Sequence, residues 1–377
     1  MKSLNDWINQ HEKLQYMKLC WDNVNNEAFR ARVLGRSCTN IQLERNGAGH
    51  KSKDAELNPA IEGKTKSGEL GRAEKSEPLE RKGILYRIRI GSKGDGFFAE
   101  HRRLLNYLYY ADQLQLIPYI EFTENYTYAE DHPVNGFTNP FEYYFCQPCV
   151  EKSDISAYQF AVESRDCDLD LSRALKPENG YDLSEEYVSA MAAISQKYIK
   201  PNKATQNLQQ EAQELLGERK TLGIHVRLTD FRKNYYGHPT CVTADHHLEL
   251  AKRAVEQYGF QRIFLATDDV ETVEMFRKEF GEALLTYSDV VRSDGEISVA
   301  FSKDQRENHH YRLGQEVLRD MYTLSMCDGL IAGKSQVSIC AYIQKRTTGD
   351  YEYREIIDAG YNTDASRKFS DVVGKMK

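Results

Sequence analysis

Short apolar runs recur along this chain, and most of them stop at charged residues, at glycines, or at both. Ile84-Leu85-Tyr86-Arg87-Ile88-Arg89-Ile90 alternates and runs into Gly91-Ser92-Lys93-Gly94-Asp95-Gly96. Leu222-Gly223-Ile224-His225-Val226 runs into Arg227, Arg262 to Thr267 into Asp268-Asp269, and Gly329-Leu330-Ile331-Ala332 into Gly333-Lys334-Ser335-Gln336. Two further runs, Ile117 to Phe122 and Leu284 to Tyr287, have the length of buried strands. Between the runs lie helical patterns: Leu104, Leu105, Leu108 and Leu114, then 184–200, 205–217, 248–258, 273–280, 313–326 and 335–344. Strand and helix in alternation predict parallel sheets covered by helices, an α/β fold. In such sheets ligands bind beyond the carboxyl ends of the strands, which is where the polar residues fall.

A chain of 377 residues is long for one domain of this kind and suits two. The spacing predicts a first domain over 84–195 and a second over 196–350, with a tail over 351–377. Residues 1–83 read as a polar leader. Leu4, Trp7, Ile8, Leu14, Met17 and Trp21 keep roughly helical spacing, and from Leu43 to Gly83 no aromatic residue occurs. That second stretch buries too little apolar surface to offset its ordering entropy and reads as a linker or surface loop.

Composition removes several functional classes. No run of 18 apolar residues is present, so no transmembrane helix is expected. Met1 to Trp7 turns polar at once, without the apolar stretch of an export signal. Eight cysteines in 377 residues make no disulfide framework, and the expected location is the cytoplasm. A net charge of −7 argues against a nucleic-acid partner while leaving room for a local basic pocket. No metal site is expected. Cys146-x-x-Cys149 has no second pair, and the adjacent pairs His246-His247 and His309-His310 point to different sides of a helix. The 24 tyrosines suit carbohydrate binding and ordinary surfaces alike; Tyr126, Tyr128, Tyr143 and Tyr144, in a loop-like stretch, offer stacking faces for an acceptor or packing for their own domain.

Each strand end admits two accounts. Arg227 presents a planar fork to phosphate oxygens, or pairs with Asp230 to pin a turn. Asp268 and Asp269 hold a ligand, or cap the next helix. Ser335 and Gln336 open a helix whose amides receive an anion, or Ser335 simply caps it. The full phosphate loop is missing, since Asp328 stands where its first glycine belongs. Asp95, between two glycines, is placed to act as a base or acceptor anchor, or belongs to a tight turn.

Taken in order, these elements resemble a known family. His225-Val226-Arg227-x-Thr229-Asp230, Ala266-Thr267-Asp268-Asp269, Leu318-x-Asp320 with Leu324-Ser325, and Ser335-Gln336-Val337 are similar to the motifs of the α1,6-fucosyltransferases, which share a superfamily with the protein O-fucosyltransferases. Lys93-Gly94-x-Gly96-Phe97 with His101 resembles that family's first glycine-rich turn. The resemblance implies a GT-B fold, two Rossmann-like domains facing across a cleft. It implies an inverting transfer of fucose from GDP-fucose to a glycan hydroxyl, with no cofactor and no obligatory metal. By the same resemblance Arg227 holds the β-phosphate and the leaving GDP, His225 and Asp320 contact guanine, Ser335 and Gln336 take the diphosphate, and Asp268 and Asp269 lie by the nucleoside.

The family's basic residue after the motif aspartate is replaced here by Phe231, and no glutamate follows before Glu249. By resemblance to those protein O-fucosyltransferases that carry an acidic residue at the corresponding turn, the proton acceptor is expected in Asp95, with Asp230 second. Neither the membrane anchor nor the SH3-like domain of luminal members is expected. The partners expected are a GDP-sugar donor and a glycan acceptor, with homo-oligomerisation left open. Two other readings stand beside this one: a different nucleotide-sugar donor, and a non-catalytic glycan- or nucleotide-binding protein on the same scaffold.

Overall fold

A computed structural model of the chain describes residues 44–45, 81–92, 94–113, 115–164, 175, 181–293, 299, 306–366 and 368. The helical pattern expected over Leu4 to Trp21, most of the linker, Lys93, Leu114 and the last residues of the chain lie outside them.

The first sheet has the order β1-β5-β2-β3, from Glu44–Arg45 (β1), Arg81–Ile90 (β2), Ile117–Phe122 (β3) and Tyr158–Glu163 (β5). β5 and β3 flank β2 in parallel, and β1 adds an antiparallel edge. Helix α1 (Phe97–Gln113) connects β2 to β3 and buries Leu104, Leu105 and Leu108, the predicted apolar stripe. After β3 the chain turns repeatedly as far as β4 (Phe145–Cys146), which pairs with β6 (Lys200–Pro201). Between them lies α2 (Glu185–Tyr198), capped by the Ser184 hydroxyl; α3 (Lys203–Leu216) follows, capped by Asn202.

The second sheet is wholly parallel. It comprises β7 (Thr221–Val226), β8 (Arg262–Thr267), β9 (Leu284–Leu285), β10 (Gly329–Gly333) and β11 (Tyr353–Ile357), in the order β11-β10-β7-β8-β9. Its helices are α4 (Ala244–Tyr258), α5 (Val270–Phe280), α6 (His309–Met326) and α7 (Gln336–Lys345). Alternation along β8 separates two cores, with Ile263 and Leu265 in one and Phe264 and Ala266 in the other. The chain builds outward from β7 in one direction, then returns to the other side of β7 with β10. The order reverses between those two strands, and a crevice opens at their carboxyl ends.

Five strands have no counterpart among the expected ones, three of them the two-residue β1, β4 and β6. β5 lies in a stretch that had been assigned no element, and the expected tail from Tyr351 onward opens with β11. The third strand of the second sheet is shorter than expected, two residues instead of four.

The halves are joined by packing and by polar contacts. One apolar core takes side chains from both, Leu104 and Ile120 with Phe264 and Leu330 among them. The loop after β3 grips the start of α6: Glu130 accepts from Tyr311 N–H at 2.9 Å, and the Tyr144 hydroxyl donates to Tyr311 O at 3.1 Å. Tyr144 fits because residue 314 is glycine; a Cβ there would stand 2.0 Å from the Tyr144 hydroxyl oxygen. Tyr126, Tyr128, Tyr143 and Tyr144 are all buried, against Phe97, Phe122, Tyr311 and one another. They serve as core, and of the four only Tyr128 also lines the cavity described below.

Candidate active site at the strand ends

A cavity of about 290 Å³ opens where the carboxyl ends of both sheets meet. From the first half it takes Gly94, Asp95, Gly96 and the start of α1, with Thr127 and Tyr128; from the second, His225, Arg227, Asp230, Asp268, Asp320, Ser335 and Gln336. Every proposed site residue except Asp269 lines it.

Arg227 leaves β7 at the reversal point of the sheet. One terminal nitrogen, Nη2, meets Asp230 Oδ1 at 2.6 Å, and the other, Nη1, meets Asp268 Oδ2 at 2.9 Å. Burial alone would lower its basicity, but the charges of Asp230 and Asp268 outweigh that and hold it above its usual value. The guanidinium is thus fixed in direction and permanently charged, with 31% of the side chain still exposed. The ion-pair account of Arg227 is the one observed, and the paired side chain still lines the cavity.

Asp268 is held from three sides. It accepts from Leu228 N–H at 3.0 Å and from the Thr229 hydroxyl at 2.5 Å, besides its contact with Arg227. Asp269 points the other way, with a relative exposure of 3%. Its Oδ2 accepts from Thr272 N–H at 2.9 Å and from the Thr272 hydroxyl at 2.6 Å, capping α5, and its Oδ1 meets Arg232 at 3.2 Å. Of the two aspartates, one faces the cavity and one is the helix cap.

His225 bridges β7 to the first turn of α7. Its Nδ1 lies 3.0 Å from Ser338 Oγ and 3.3 Å from Ser335 Oγ. The Ser338 hydroxyl already donates to Gly333 O at 2.8 Å, so it accepts from His225 Nδ1–H. That tautomer leaves Nε2 as a lone-pair acceptor. Burial and the neighbouring Arg227 press the imidazole pKa down to about 3, so the ring is neutral at ordinary pH. Ser335 caps α7, accepting from Ser338 N–H at 3.1 Å, while lining the cavity. The adjacent Lys334 is turned away into an acidic clasp, 2.5 Å from Asp182 and 2.7 Å from Asp358.

Asp95 sits in the turn after β2, where Gly94 takes a φ of 93°, a conformation that favours glycine. Its Oδ2 meets Arg103 Nη2 at 3.1 Å, and Arg103 Nη1 also meets Glu100 at 2.5 Å. Glu100 is wholly buried, and desolvation raises its pKa against the opposing pull of Arg103.

The far part of the cavity has a different chemistry. Val290, Val291, Val299, Leu313 and Val317 form an apolar slot beside Asp320 and Glu316. Glu316 is paired with Arg306 at 2.6 Å. Asp320 makes no hydrogen bond among the described residues. Enclosure in protein raises its pKa to about 7, even with Arg292 and Arg319 acting to lower it. A partly exposed carboxylate with no protein hydrogen-bond partner, lining the cavity with several valines, can accept from a flat ring carrying N–H donors.

Sequence reasoning missed the valines, which carry no motif, and Tyr181, Phe231 and His238, which complete the wall. Among the described residues no group of three or more His, Cys, Asp or Glu is placed to hold a metal ion, and no helix is long and apolar enough to cross a membrane.

No protein-family model matches the chain, and no curated protein does. Among solved structures, the NodZ α-1,6-fucosyltransferase soaked with GDP-fucose aligns with 70% of this chain and 93% of its own length, at 16% identity and a TM-score of 0.42. The fucosyltransferase NodZ from Bradyrhizobium aligns with 69% of this chain and 93% of its own, at 15% identity and a TM-score of 0.43. POFUT1 in complex with GDP aligns with 74% of this chain and 98% of its own, at 11% identity and a TM-score of 0.39. At these identities and scores the likeness concerns a loose arrangement of elements and says nothing of what this chain binds.

Proposed function

We propose that this chain is a GT-B-type glycosyltransferase that takes a sugar from a GDP-sugar, with inversion, and delivers it to a glycan hydroxyl. One observation carries the reading: a single cavity offers a fixed cation beside a helix N-terminus at one part and an apolar, carboxylate-bearing slot at another. That is the complement of a nucleoside diphosphate. Arg227 and the first amides of α7, with Ser335 and Gln336, face the diphosphate. Asp320 accepts from the N1–H and exocyclic amine of guanine, and His225 Nε2 accepts from an N–H or O–H of the nucleoside. Fucose as the donor sugar follows from the motif resemblance.

In the transfer, an acceptor oxygen approaches the anomeric carbon from the face opposite the diphosphate. The bond to the β-phosphate oxygen breaks as the new one forms, and negative charge grows on the departing GDP. Arg227, already oriented by Asp230 and Asp268, meets that charge without reorganising, and the α7 dipole adds to it. In this reading positive potential comes from protein groups, so transfer proceeds in EDTA. Asp269 takes no part beyond holding α5.

The test is calorimetry with GDP, UDP and ADP, followed by measurement of GDP released from GDP-fucose in EDTA with a panel of glycan acceptors. GDP binding most tightly, with acceptor-dependent GDP release, is expected. Tighter binding of UDP would count against Asp320 reading guanine, and binding without release would leave a nucleotide-binding protein.

A further inference from the structure

Asp320 has a second carboxylate beside it in the cavity wall. Glu316 lies one helical turn earlier on α6, and both side chains line the cavity with Val290, Val291 and Val317. Residues four apart on a helix share a face, with Cβ atoms about 5–6 Å apart. Glu316 Oε1 meets Arg306 Nη1 at 2.6 Å, which fixes the direction of the carboxylate. Its other oxygen, Oε2, has no partner among the described residues and stays accessible. No sequence motif pointed to this residue, and the nucleoside contacts assigned so far do not use it.

Two carboxylates at this spacing repel each other and lower the stability of the helix that carries them. Enclosure first, and then the charge of Glu316, favour the proton on Asp320. The nearby arginines relieve this only at a distance. Arg319 is engaged with Asp289 at 2.6 Å and Glu211 at 2.9 Å. Arg292 donates to the Thr286 hydroxyl at 2.7 Å and to Val290 O at 3.3 Å. A ligand that brings donors to both carboxylates offsets the repulsion. Guanine supplies them to Asp320 from its N1–H and exocyclic amine. The remaining donors of a nucleoside are the ribose hydroxyls, and they lie from the pairing edge of a purine by roughly the distance between adjacent helical turns. Arg306 accounts for one oxygen of Glu316 and leaves the other to the cavity.

We propose that Glu316 is a specificity-determining residue for the donor: its Oε2 accepts from a ribose hydroxyl of the bound nucleotide while Asp320 accepts from the base. The two carboxylates then read different parts of one nucleoside, and the pair selects a ribonucleotide over its deoxy counterpart. Arg306 holds the Glu316 carboxylate in direction and balances its charge. The bond to the hydroxyl is charge-assisted, and so stronger than one between neutral groups. This assignment rests on the GDP-sugar reading above.

The experiment is calorimetry at pH 8 with GDP, its 2′-deoxy and 3′-deoxy forms, and IDP, on the wild type, Glu316→Ala and Glu316→Gln. The wild type is expected to bind at least one deoxy form about 10- to 10²-fold more weakly than GDP. Glu316→Ala should bring that ratio close to one. Glu316→Gln, which keeps the shape of the side chain, should give an intermediate ratio, since its amide oxygen accepts only a neutral bond. IDP lacks the exocyclic amine, so the preference for GDP over IDP reports on Asp320 and should keep its wild-type value in both variants. General damage to the cavity would not leave it intact. Equal binding of GDP and both deoxy forms by the wild type overturns the assignment alone, as does a wild-type ratio retained in the variants. Loss of the preference over IDP in the variants would put Glu316 on the base and overturns it too. A wild type that binds no guanine nucleotide overturns the donor reading and the assignment with it.

Discussion

Asp268 and Asp269 are chain neighbours at the end of β8, and strand geometry sends their side chains to opposite sides. Asp268 grips Arg227, while Asp269 caps α5. Their sequence position admitted both roles for both residues; only the register of β8 against β7, with Ala266 opposite His225, assigns one to each. Arg227 was legible because an arginine leaving a buried strand has few uses. Replacing it with alanine should lower kcat for GDP release about 10²- to 10³-fold, and with lysine only in part, because a point charge cannot keep both carboxylates and a diphosphate in one plane. Steady-state rates of the two variants check this. Asp320 makes a prediction about stability. Its folded pKa, about 7, lies above the ordinary carboxylate value, so the native state holds its proton longer than the unfolded chain does. Stability is then lost as pH rises from the ordinary carboxylate range through 7. Asp320→Asn should raise the melting temperature of the unliganded protein more at pH 8 than at pH 4, while weakening GDP binding at pH 8. Equal gains at both pH values would contradict the assigned environment.

At the scale of elements, the crevice is set by the order of the second sheet. β7 and β10 are adjacent in the sheet and far apart in sequence, and their ends bring Arg227 and Ser335 to one place. The helices were readable from their apolar spacing and caps, whereas β5 and β11 were not. Both carry polar or charged residues where the strands that were read are apolar, Gln159 and Glu163 in β5, Arg354 and Glu355 in β11. His238 was illegible because its loop is held by backbone hydrogen bonds with Gly360 and Asn362, more than a hundred residues on in the chain. Capping can be separated from ligand contact by two substitutions. Ser335→Ala and Thr243→Ala each remove the side-chain oxygen that caps a helix, and each should cost about 1 kcal/mol in denaturant unfolding. Only Ser335→Ala should also weaken GDP binding. Gly314→Ala tests the contact between the halves. The new methyl group would meet Tyr144, and destabilisation of about 1–3 kcal/mol is expected from overpacking.

For the molecule as a whole, the cavity belongs to neither sheet alone, since Asp95 and the α1 start come from one and Arg227, Asp320 and Ser335 from the other. GDP at about 100 times its dissociation constant should therefore stabilise the whole fold by about 2.7 kcal/mol, measurable as a rise in melting temperature. Lys334, directly before the α7 cap, is the basic side chain nearest in sequence to the expected diphosphate, and two carboxylates hold it outside the cavity. The consequence is kinetic. A catalyst must let go of GDP once per cycle, and a second cation on the phosphates would lengthen the product's residence time. By keeping Lys334 occupied, Asp182 and Asp358 trade grip for exchange, so a chain with both changed to asparagine should bind GDP more tightly and turn over more slowly.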